Sequence, residues 1–444
     1  RRRLSERLNS SNRMASFKHI LFLLASVVAL SASAQNLREK FRENPDMAGG
    51  VYYVYTFDDP ETTSPPEGYR PVYISHYGRH GSRWLLSDEE YEQVFRVFDG
   101  AADRSVLTPF GEEIQRRVRE VYEDGIHRAG DLSPLGVRQH RGIAERMFRS
   151  YPELLSDDAA IEAQATVVVR CVLSMAVFCE RLKELNPKLR ITRTAGNRTT
   201  YYLNFFNKLP WNDIAPEYLD FMKQGPWRKE SEEWLWSRIS EKRLVDTLFV
   251  DSEYRRKLDG RKLMLGLFGM ARGMQNVESD ISLYDLFSPD EIYAMSVYDN
   301  YEYYVTRGPS RLNRGYPQHY AKALLRDMLE RADCALSGDG PVADLRFGHD
   351  GNIMAFVPLL HFAGWDAVCS DPEEIAEKWP VFRLSPMAAN IQFVFSRHER
   401  TENILVKMLL NETEVRIPIE SISGPYYRWS DVRAYYDSLL NAGL

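Results

Sequence analysis

Two hydrophobic patterns alternate along this chain of 444 residues, and together they predict a mixed α/β protein. Strand-like segments occur at Val72–Ile74, Ala165–Val169 and Asp344–Gly348, and helical patterns follow each of them. This order is typical of an open α/β sheet, whose ligands bind at the carboxyl ends of the strands. Near the C-terminus, period-two alternation predicts an antiparallel meander over Ile391–Phe395, Ile404–Leu410 and Val415–Ile419.

Two predicted helices begin with a Ser or Thr followed directly by Pro. Thr108-Pro109 and Ser133-Pro134 each supply a capping hydroxyl and a residue that suits the first helical turn. Helical spacing also predicts helices over Asp88–Phe98, Val172–Leu185 and Tyr316–Ala332. Residues 36–70 are predicted to be extended and turn-rich.

Residues 201–315 are rich in aromatic and charged side chains at helical spacing, and no strong strand pattern interrupts them. We expect a mainly helical insertion or cap. Four tryptophans fall in it, and core packing is favoured over a sugar-binding platform: Trp211, Trp227, Trp234 and Trp236.

The N-terminal residues predict export. After Met14, Lys18 precedes an apolar run from Ile20 to Leu30, which is too short to span a bilayer, and Ala34 ends a small-residue cleavage pattern. Residues 1–34 are therefore interpreted as upstream residues plus a signal peptide cleaved near Ala34. The expected location is periplasmic or secreted, with no stable membrane insertion after cleavage.

The charge balance argues against nucleic acid as a partner. The whole chain has a net charge of −6, and removal of residues 1–34, with six basic residues and one acidic residue, makes it −11. Any anion site must therefore be a local cluster of basic residues. The four cysteines do not have the spacing of a zinc site. Cys171 and Cys179 lie too far apart on one predicted helix to form a disulfide, and the sequence does not decide whether Cys334 and Cys369 form one.

The densest chemistry lies in the segment Arg79-His80-Gly81-Ser82-Arg83, directly after the first strand. Guanidinium groups bind phosphate through paired hydrogen bonds, and an imidazole between them can attack phosphorus. Gly81 is expected to let the backbone approach a ligand closely. Arg170 and His349-Asp350 also follow predicted strands, so all three segments should meet at one edge of the sheet.

Other chemistries fit these residues less well. His76 and His80 have metal-ligand spacing for a helix, but Gly78 and the strand context disfavour it. No cysteine has an arginine six residues later, as cysteine-based phosphatases require. Three arginines of one loop could contact further phosphates, although a solvated face is favoured: Arg307, Arg311 and Arg314.

On these motifs the chain resembles the histidine acid phosphatase family, which includes phytases and inositol polyphosphate phosphatases. The family signature RHGxRxP is matched from Arg79 onward, the HD motif at His349-Asp350, and a Leu-Thr-Pro-Leu-Gly helix start at Leu132–Gly136. The chain departs from the family in having Leu85 where the signature has proline. It also reads His349-Asp350-Gly351 where many inositol polyphosphate phosphatases have His-Ala-Glu.

The resemblance implies a doubly wound α/β domain of the phosphoglycerate mutase-like, or histidine phosphatase, fold, together with a mainly helical second domain. The α/β domain would comprise residues 36–83, 130–200 and 316–444. The helical cap would comprise residues 84–129 and 201–315.

It also implies an acid phosphatase that hydrolyses small phosphomonoesters without cofactor or metal. His80 would be the nucleophile and Asp350 the general acid, protonated for the first step, while Arg79, Arg83, Arg170 and His349 would bind the phosphate. The arginines should lower the pKa of His80. A phosphotransferase or mutase and a non-catalytic phospho-ligand-binding protein remain alternatives, and the preferred ester and the oligomeric state stay open.

Overall fold

The protein is described from a computed structural model, which covers residues 37–56, 58–206 and 214–443. The predicted signal peptide and Trp211 lie outside the described residues. No helix within these ranges is long and apolar enough to cross a membrane.

A sheet of eight strands, counted over the described residues, runs through the molecule. Its strands are β1 (Tyr69–Arg79), β2 (Ala160–Ala165), β3 (Arg190–Ala195), β4 (Ala343–Gly348), β5 (Asn390–His398), β6 (Ile404–Leu410), β7 (Thr413–Val415) and β8 (Tyr427–Arg428). Their order is β3-β2-β4-β1-β5-β6-β7, and β8 pairs with β6. Strands β3, β2, β4 and β1 are parallel to one another, whereas β5 to β8 pair antiparallel.

Helices fill most of the remaining chain. Those before β4 are α1 (residues 37–43), α2 (Asp88–Asp103), α3 (Pro109–Gly125), α4 (Pro134–Ser150), α5 (Val169–Leu185), α6 (Asn197–Leu203), α7 (Pro216–Gln224), α8 (Trp227–Arg238), α9 (Lys242–Leu248), α10 (Ser252–Lys257), α11 (Gly260–Gly273), α12 (Pro289–Arg307) and α13 (Tyr316–Ser337). After β4 come α14 (Asp350–Leu359), α15 (Pro372–Lys378), α16 (Val381–Leu384) and α17 (Trp429–Asn441). Short 3₁₀ turns occur at Pro45–Tyr52, Met274–Asn276, Tyr284–Leu286 and Arg311–Asn313.

Helices cover both faces of the sheet. Ile74 and Phe347 pack on one side with residues of α4 and α5, such as Phe178. Tyr73 and Phe393 belong to a larger core on the other side, which includes residues of α12, α13 and α14. The neighbouring residues Tyr73 and Ile74 face opposite sides because a strand is pleated. The prediction of a doubly wound α/β fold is confirmed.

The predicted helical character of residues 201–315 is also confirmed in their described part. The larger core continues from Tyr73 of the sheet into these helices through Val94 and Leu267. Because this core has no break, the division into two domains stays a prediction. Both predicted helix starts are correct: the Thr108 and Ser133 hydroxyls accept hydrogen bonds from the amides of Gly111 and Gly136.

The predicted strand Ala165–Val169 is wrong. Strand β2 ends at Ala165, whose partner Phe347 is next to last in β4, so the ladder has almost no residues left to pair with. The chain then turns into α5, which begins at Val169. Arg170 consequently lies in the first turn of a helix. The β-branched residues 166–169 favour a strand, but β4 ends before they could pair with it.

Three further segments differ from prediction. Residues 36–70 contain α1 and the 3₁₀ turn Pro45–Tyr52, because Phe41 and Val51 insert into the larger core. Strand β7 ends at Val415, so residues 416–419 of the predicted meander are not a strand. Edge strand β3 was not predicted, since most of its residues are exposed and give no alternating pattern. All four cysteines, including Cys334 and Cys369, are free.

Candidate active site

The predicted motif residues meet because they follow three adjacent parallel strands. Strand β1 ends at Arg79, β4 ends one residue before His349, and β2 ends just before the turn that leads to Arg170. Since β2, β4 and β1 are consecutive in the sheet, their carboxyl ends form one edge. The structure therefore brings together all six predicted site residues: Arg79, His80, Arg83, Arg170, His349 and Asp350.

Hydrogen bonds from three consecutive backbone amides hold the loop after β1 in place. The His80 amide donates to the carbonyl of Gly348 at 3.0 Å, which ties the loop to the end of β4. The Gly81 amide donates to the Ser174 hydroxyl of α5 at 3.1 Å, and the Ser82 amide donates to Gln139 of α4 at 2.8 Å. The loop geometry is thus fixed by the sheet and by two helices.

Gly81 makes a close backbone contact with Gly136 of α4. A Cβ atom at this position would lie 2.6 Å from the carbonyl oxygen of Gly136, and a Cβ at Gly136 would lie 2.4 Å from the carbonyl oxygen of Ser82. Both distances are shorter than real Cβ contacts. The glycines therefore allow the loop to pack against the first turn of α4, and the close approach of a ligand to the backbone at Gly81 stays a prediction.

The local contacts leave one nitrogen of His80 available for chemistry. His80 is 2% exposed, and its Nδ1 lies 2.9 Å from the carbonyl oxygen of Gly81. A carbonyl can only accept, so Nδ1 carries the proton and Nε2 carries the lone pair. Burial lowers the pKa of His80 well below its usual value, and the guanidinium groups of Arg170, Arg79 and Arg83 lower it further. The ring is therefore a neutral base even in mild acid.

The three arginines retain N–H groups without hydrogen-bond partners among the described residues. Arg79 is fully buried and donates from Nη1 to the carbonyls of Val51 at 2.6 Å and Ser385 at 2.8 Å, yet its Nε is unpaired. The Nε atoms of Arg83 and Arg170 are also buried and unpaired. Buried cations with free donors are costly, so an anion is the expected ligand of this cluster.

His349 contacts the residue that follows β2 and a residue of α5. Its Nε2 lies 3.3 Å from the Thr166 hydroxyl and 3.7 Å from the Cys171 sulfur, and its ring centre lies 5.8 Å from that of His80. Burial, followed by the charge of Arg170, lowers the pKa of His349 to about 3. His349 therefore faces the cluster as a neutral hydrogen-bonding group.

Asp350 differs from the expectation of a protonated acid. Its Oδ2 lies 3.1 Å from Nη2 of Arg79, without the alignment of a hydrogen bond, and its Oδ1 accepts the Gly351 amide at 2.8 Å. Burial raises the pKa of Asp350, but Arg79 and Arg83 outweigh burial and bring it to about 2. It is thus ionised in mild acid until another anion offsets the arginines, which would raise its pKa.

Several residues near this cluster were missed by sequence analysis. Tyr52 accepts a hydrogen bond from Arg83 at 3.5 Å, and Tyr303 is a near neighbour of Arg79. Arg272 stacks on Tyr52, with its guanidinium carbon 4.9 Å from the ring centre. These residues come from the 3₁₀ turn, α12 and α11, and their arrival at the site depends on tertiary packing that no local motif signals.

The three arginines considered for further phosphates differ in the structure. Arg307 stacks 4.0 Å above the Phe206 ring, and both residues border Gly351 beside the cluster. Arg311 and Arg314 are exposed, which fits the interpretation of a solvated face for these two.

Leu85 occupies the position where the family signature has proline. Its amide donates to the Tyr91 hydroxyl at 2.9 Å, a bond that proline cannot make. Leu85 therefore makes a backbone hydrogen bond that the proline of the family signature would remove.

No three His, Cys, Asp or Glu residues of the described chain are grouped so that they could hold a metal ion. His76 packs between Phe178 and Phe347, with ring centres 5.5 Å from each.

Comparison with known proteins supports the fold. No family model and no curated protein sequence matches the chain. A solved structure of the multiple inositol polyphosphate phosphatase of Bifidobacterium longum, in complex with inositol hexasulfate, aligns with a TM-score of 0.73 at 19% identity, over 89% of this chain and 97% of that one. The phytase of D. castellii aligns with a TM-score of 0.65 at 14% identity, over 89% and 85%.

A phytase of Hafnia alvei aligns with a TM-score of 0.52 at 14% identity, over 85% of this chain and 98% of that one. Each of these alignments covers at least 85% of this chain. At such low identity the likeness concerns the backbone and its topology. The chain has the fold of the inositol polyphosphate phosphatases and phytases.

Proposed function

We propose that this protein is an exported acid phosphatase that hydrolyses phosphomonoesters, inositol phosphates among them, through a phosphohistidine intermediate. The observation that carries the proposal is the position of His80, a buried neutral imidazole surrounded by Arg79, Arg83 and Arg170. The resemblance to the histidine acid phosphatases and the fold of the phytases support the same conclusion. Export rests on the N-terminal sequence pattern alone.

In the first step, Nε2 of His80 attacks the phosphorus atom of the ester. The bond between phosphorus and the ester oxygen breaks, and its electron pair leaves with the oxygen. Arg79, Arg83, Arg170 and His349 hydrogen-bond the phosphoryl oxygens, where charge must be balanced in the transition state. The N-termini of α5 and α14 lie at the same edge and favour an anion there.

Asp350 supplies the proton that the leaving alkoxide needs. The bound phosphate offsets the charge of Arg79 and Arg83, so the pKa of Asp350 rises when substrate is present. Asp350 then protonates the departing oxygen. In the second step, water attacks phosphorus, the phosphorus–nitrogen bond breaks, and the Asp350 carboxylate takes the proton from water. The cycle returns His80 to its neutral form and releases inorganic phosphate.

The proposal is tested by trapping the intermediate. Wild-type protein mixed with a radiolabelled phosphomonoester and quenched in alkali should carry acid-labile label on the peptide that contains His80. His80→Ala should lose both the label and turnover. His127→Ala, at a side chain that is 86% exposed, is the matched control and should retain both.

The alternatives predict other outcomes. Phosphate that appears on an added alcohol instead of in water would indicate a phosphotransferase, and phosphate binding without any turnover would indicate a non-catalytic binder. Turnover that survives in His80→Ala, or label on another peptide, would overturn the assignment. Chelators should not reduce activity, and a loss that zinc or magnesium restores would count against the mechanism.

A further inference from the structure

Tyr52 contacts two arginines at once. The guanidinium carbon of Arg83 lies 4.9 Å from the centre of the Tyr52 ring, and that of Arg272 also lies 4.9 Å from it. The two carbons are therefore separated by no more than twice this distance. Nη1 of Arg83 also donates to the Tyr52 hydroxyl at 3.5 Å. Such stacking of guanidinium groups on an aromatic ring holds both groups in place.

The Tyr52 backbone is tied to the loop that carries the phosphate-binding arginines. Asn276 donates from Nδ2 to the Tyr52 carbonyl at 2.8 Å and accepts the Ser82 hydroxyl on Oδ1 at 2.8 Å. The neighbouring carbonyl of Val51 accepts Nη1 of Arg79. All five residues in these contacts are buried. The 3₁₀ turn Pro45–Tyr52 is thus built into the site.

Arg272 is placed to contact something beyond the phosphate cluster. Its Nη1 forms an ion pair with Asp299 of α12, which is its one hydrogen-bond partner among the described residues. Its buried Nε is unpaired, and its side chain lines a cleft of about 530 Å³ whose wall carries both basic and acidic side chains: Arg261, Lys262, Glu90, Glu232 and Asp259. Arg272 therefore lies between Arg83 and this cleft and keeps an N–H group available for a ligand.

We propose that Tyr52 positions Arg83 and Arg272 so that the two guanidinium groups bind two acidic groups of one substrate. Arg83 would hold the phosphate that is cleaved, and Arg272 a second phosphate on the same molecule. Tyr52 acts through the arginines and is a positioning residue. This inference rests on the proposed phosphatase function and assigns specificity within it.

Arg272→Met tests the second contact. The loss in kcat/KM should be about 10- to 100-fold for inositol hexakisphosphate, the size expected for a charge-assisted hydrogen bond. For p-nitrophenyl phosphate, which has one acidic group, the loss should be less than threefold. Asp299→Asn should act in the opposite direction, because it removes the carboxylate that competes for Arg272, and should lower KM for inositol hexakisphosphate.

Tyr52→Leu tests the positioning role. Removal of the ring should raise KM about 5- to 30-fold for both substrates, because Arg83 and Arg272 both lose the aromatic surface on which they stack. Tyr52→Phe keeps the ring and should recover most of this loss. Tyr53→Leu is the matched control: the Tyr53 ring packs edge-on against Phe382 at 5.7 Å, and its removal should not change KM.

The outcomes separate the inference from the function on which it rests. If wild-type protein hydrolyses no phosphomonoester, the proposed function fails. If it hydrolyses p-nitrophenyl phosphate but neither cleaves nor is inhibited by inositol hexakisphosphate, the inference alone is overturned. Equal losses for both substrates in Arg272→Met would also overturn it. If that variant is poorly folded, Asp299→Asn decides, because an unchanged or higher KM contradicts the role of Arg272.

Discussion

Strand β4 connects two buried arginine clusters that differ in how their charges are paired. In the middle of the strand, Arg346 is 1% exposed, donates from Nε to Asp327 at 2.7 Å and from Nη1 to the Ser75 hydroxyl at 3.0 Å. The neighbouring Arg331 donates to Asp344 at 2.9 Å. Burial lowers the pKa of Arg346, but Asp327 and Asp344 outweigh it, so the pKa is raised.

Past the end of the same strand, Asp350 supplies the carboxylate that interacts with Arg79, Arg83 and Arg170 within the described part of the chain. Burial lowers the pKa of Arg79 and of Arg170, and their partners do not compensate, whereas at Arg83 the contacts with Tyr52 and Asp350 outweigh burial and raise the pKa. Burying charge is favourable only when it is paired. Among the described residues, Arg346 and Arg331 face the carboxylates of Asp327, Asp344 and Glu162, although Nη2 of Arg346 is unpaired. The three strand-end arginines have fewer carboxylates to pair with, which favours an anionic ligand there.

The largest expected effect comes from Asp350, the carboxylate that the strand-end cluster does contain. Asp350→Asn keeps the shape and removes the titratable proton. Esters with poor leaving groups, such as alkyl or inositol phosphates, should lose about 10²- to 10⁴-fold in rate because the alkoxide leaves unprotonated. p-Nitrophenyl phosphate releases a stabilised phenolate and should lose much less. Steady-state kinetics with both classes of ester measures the difference.

Equal losses for both classes would show that Asp350 is not the general acid. Glu302 of α12, whose pKa burial raises, is then the next candidate, and Glu302→Gln is the comparison variant. The pH profile gives a second reading: for alkyl esters, Asp350→Asn should lose the alkaline limb that the bound-state pKa of Asp350 sets.

The two clusters should respond differently when each loses one arginine. Arg346→Ala removes a charge-assisted hydrogen bond to Asp327, while Arg331 still pairs with Asp327 and Asp344, so unfolding free energy should fall by about 2–3 kcal/mol. Arg170→Ala removes an unpaired cation and should leave thermal stability almost unchanged, while kcat/KM falls roughly 10²- to 10³-fold. Thermal unfolding and kinetics on the same two preparations test both statements.

The opposite pattern would contradict this assignment of roles. If Arg170→Ala unfolds the protein but its folded fraction keeps normal specific activity, Arg170 is structural. Arg346→Lys serves as a milder variant when Arg346→Ala cannot be purified, and it should lie between wild type and alanine in stability.

Inorganic phosphate should stabilise the folded protein by pairing with the arginines of the strand-end cluster. At a concentration one hundred times its Kd, a ligand of the native state adds about 2.7 kcal/mol to the unfolding free energy. Arg83→Ala should reduce this gain, whereas Arg346→Lys, outside the strand-end cluster, should retain it. Chloride at equal ionic strength is the control for nonspecific salt effects, and an equal shift with chloride would contradict a specific site.

Sequence patterns predict the parts of this molecule that depend on local chemistry. Capping by Thr108 and Ser133 and the loop motif Arg79–Arg83 can be recognised because the relevant residues are contiguous. The meeting of Arg79 with His349 follows from a general rule on strand ends in parallel sheets.

Other features depend on contacts that sequence does not encode locally. Strand β2 stops at Ala165 because β4 ends, although Val167 and Val169 would suit a strand. Tyr52 precedes Arg83 by 31 residues and reaches it because the 3₁₀ turn Pro45–Tyr52 packs into the larger core. The low pKa of Asp350 likewise results from tertiary proximity to Arg79 and could not be inferred from its neighbours in sequence.

The smallest effect concerns two buried histidines between the clusters, His76 and His140. Burial lowers the pKa of each to about 3, and Arg346 contributes at His76. In the unfolded chain each histidine binds a proton below its ordinary pKa of about 6.5, whereas in the folded protein it stays neutral down to about pH 3. The free energy of unfolding therefore falls as the pH drops. Between pH 6.5 and pH 5.5 each histidine should cost about 1 kcal/mol. Urea unfolding should show this slope reduced by that amount in His76→Leu, and unchanged in the exposed control His127→Leu. A wild-type slope in His76→Leu would mean that His76 does not remain neutral in the folded protein.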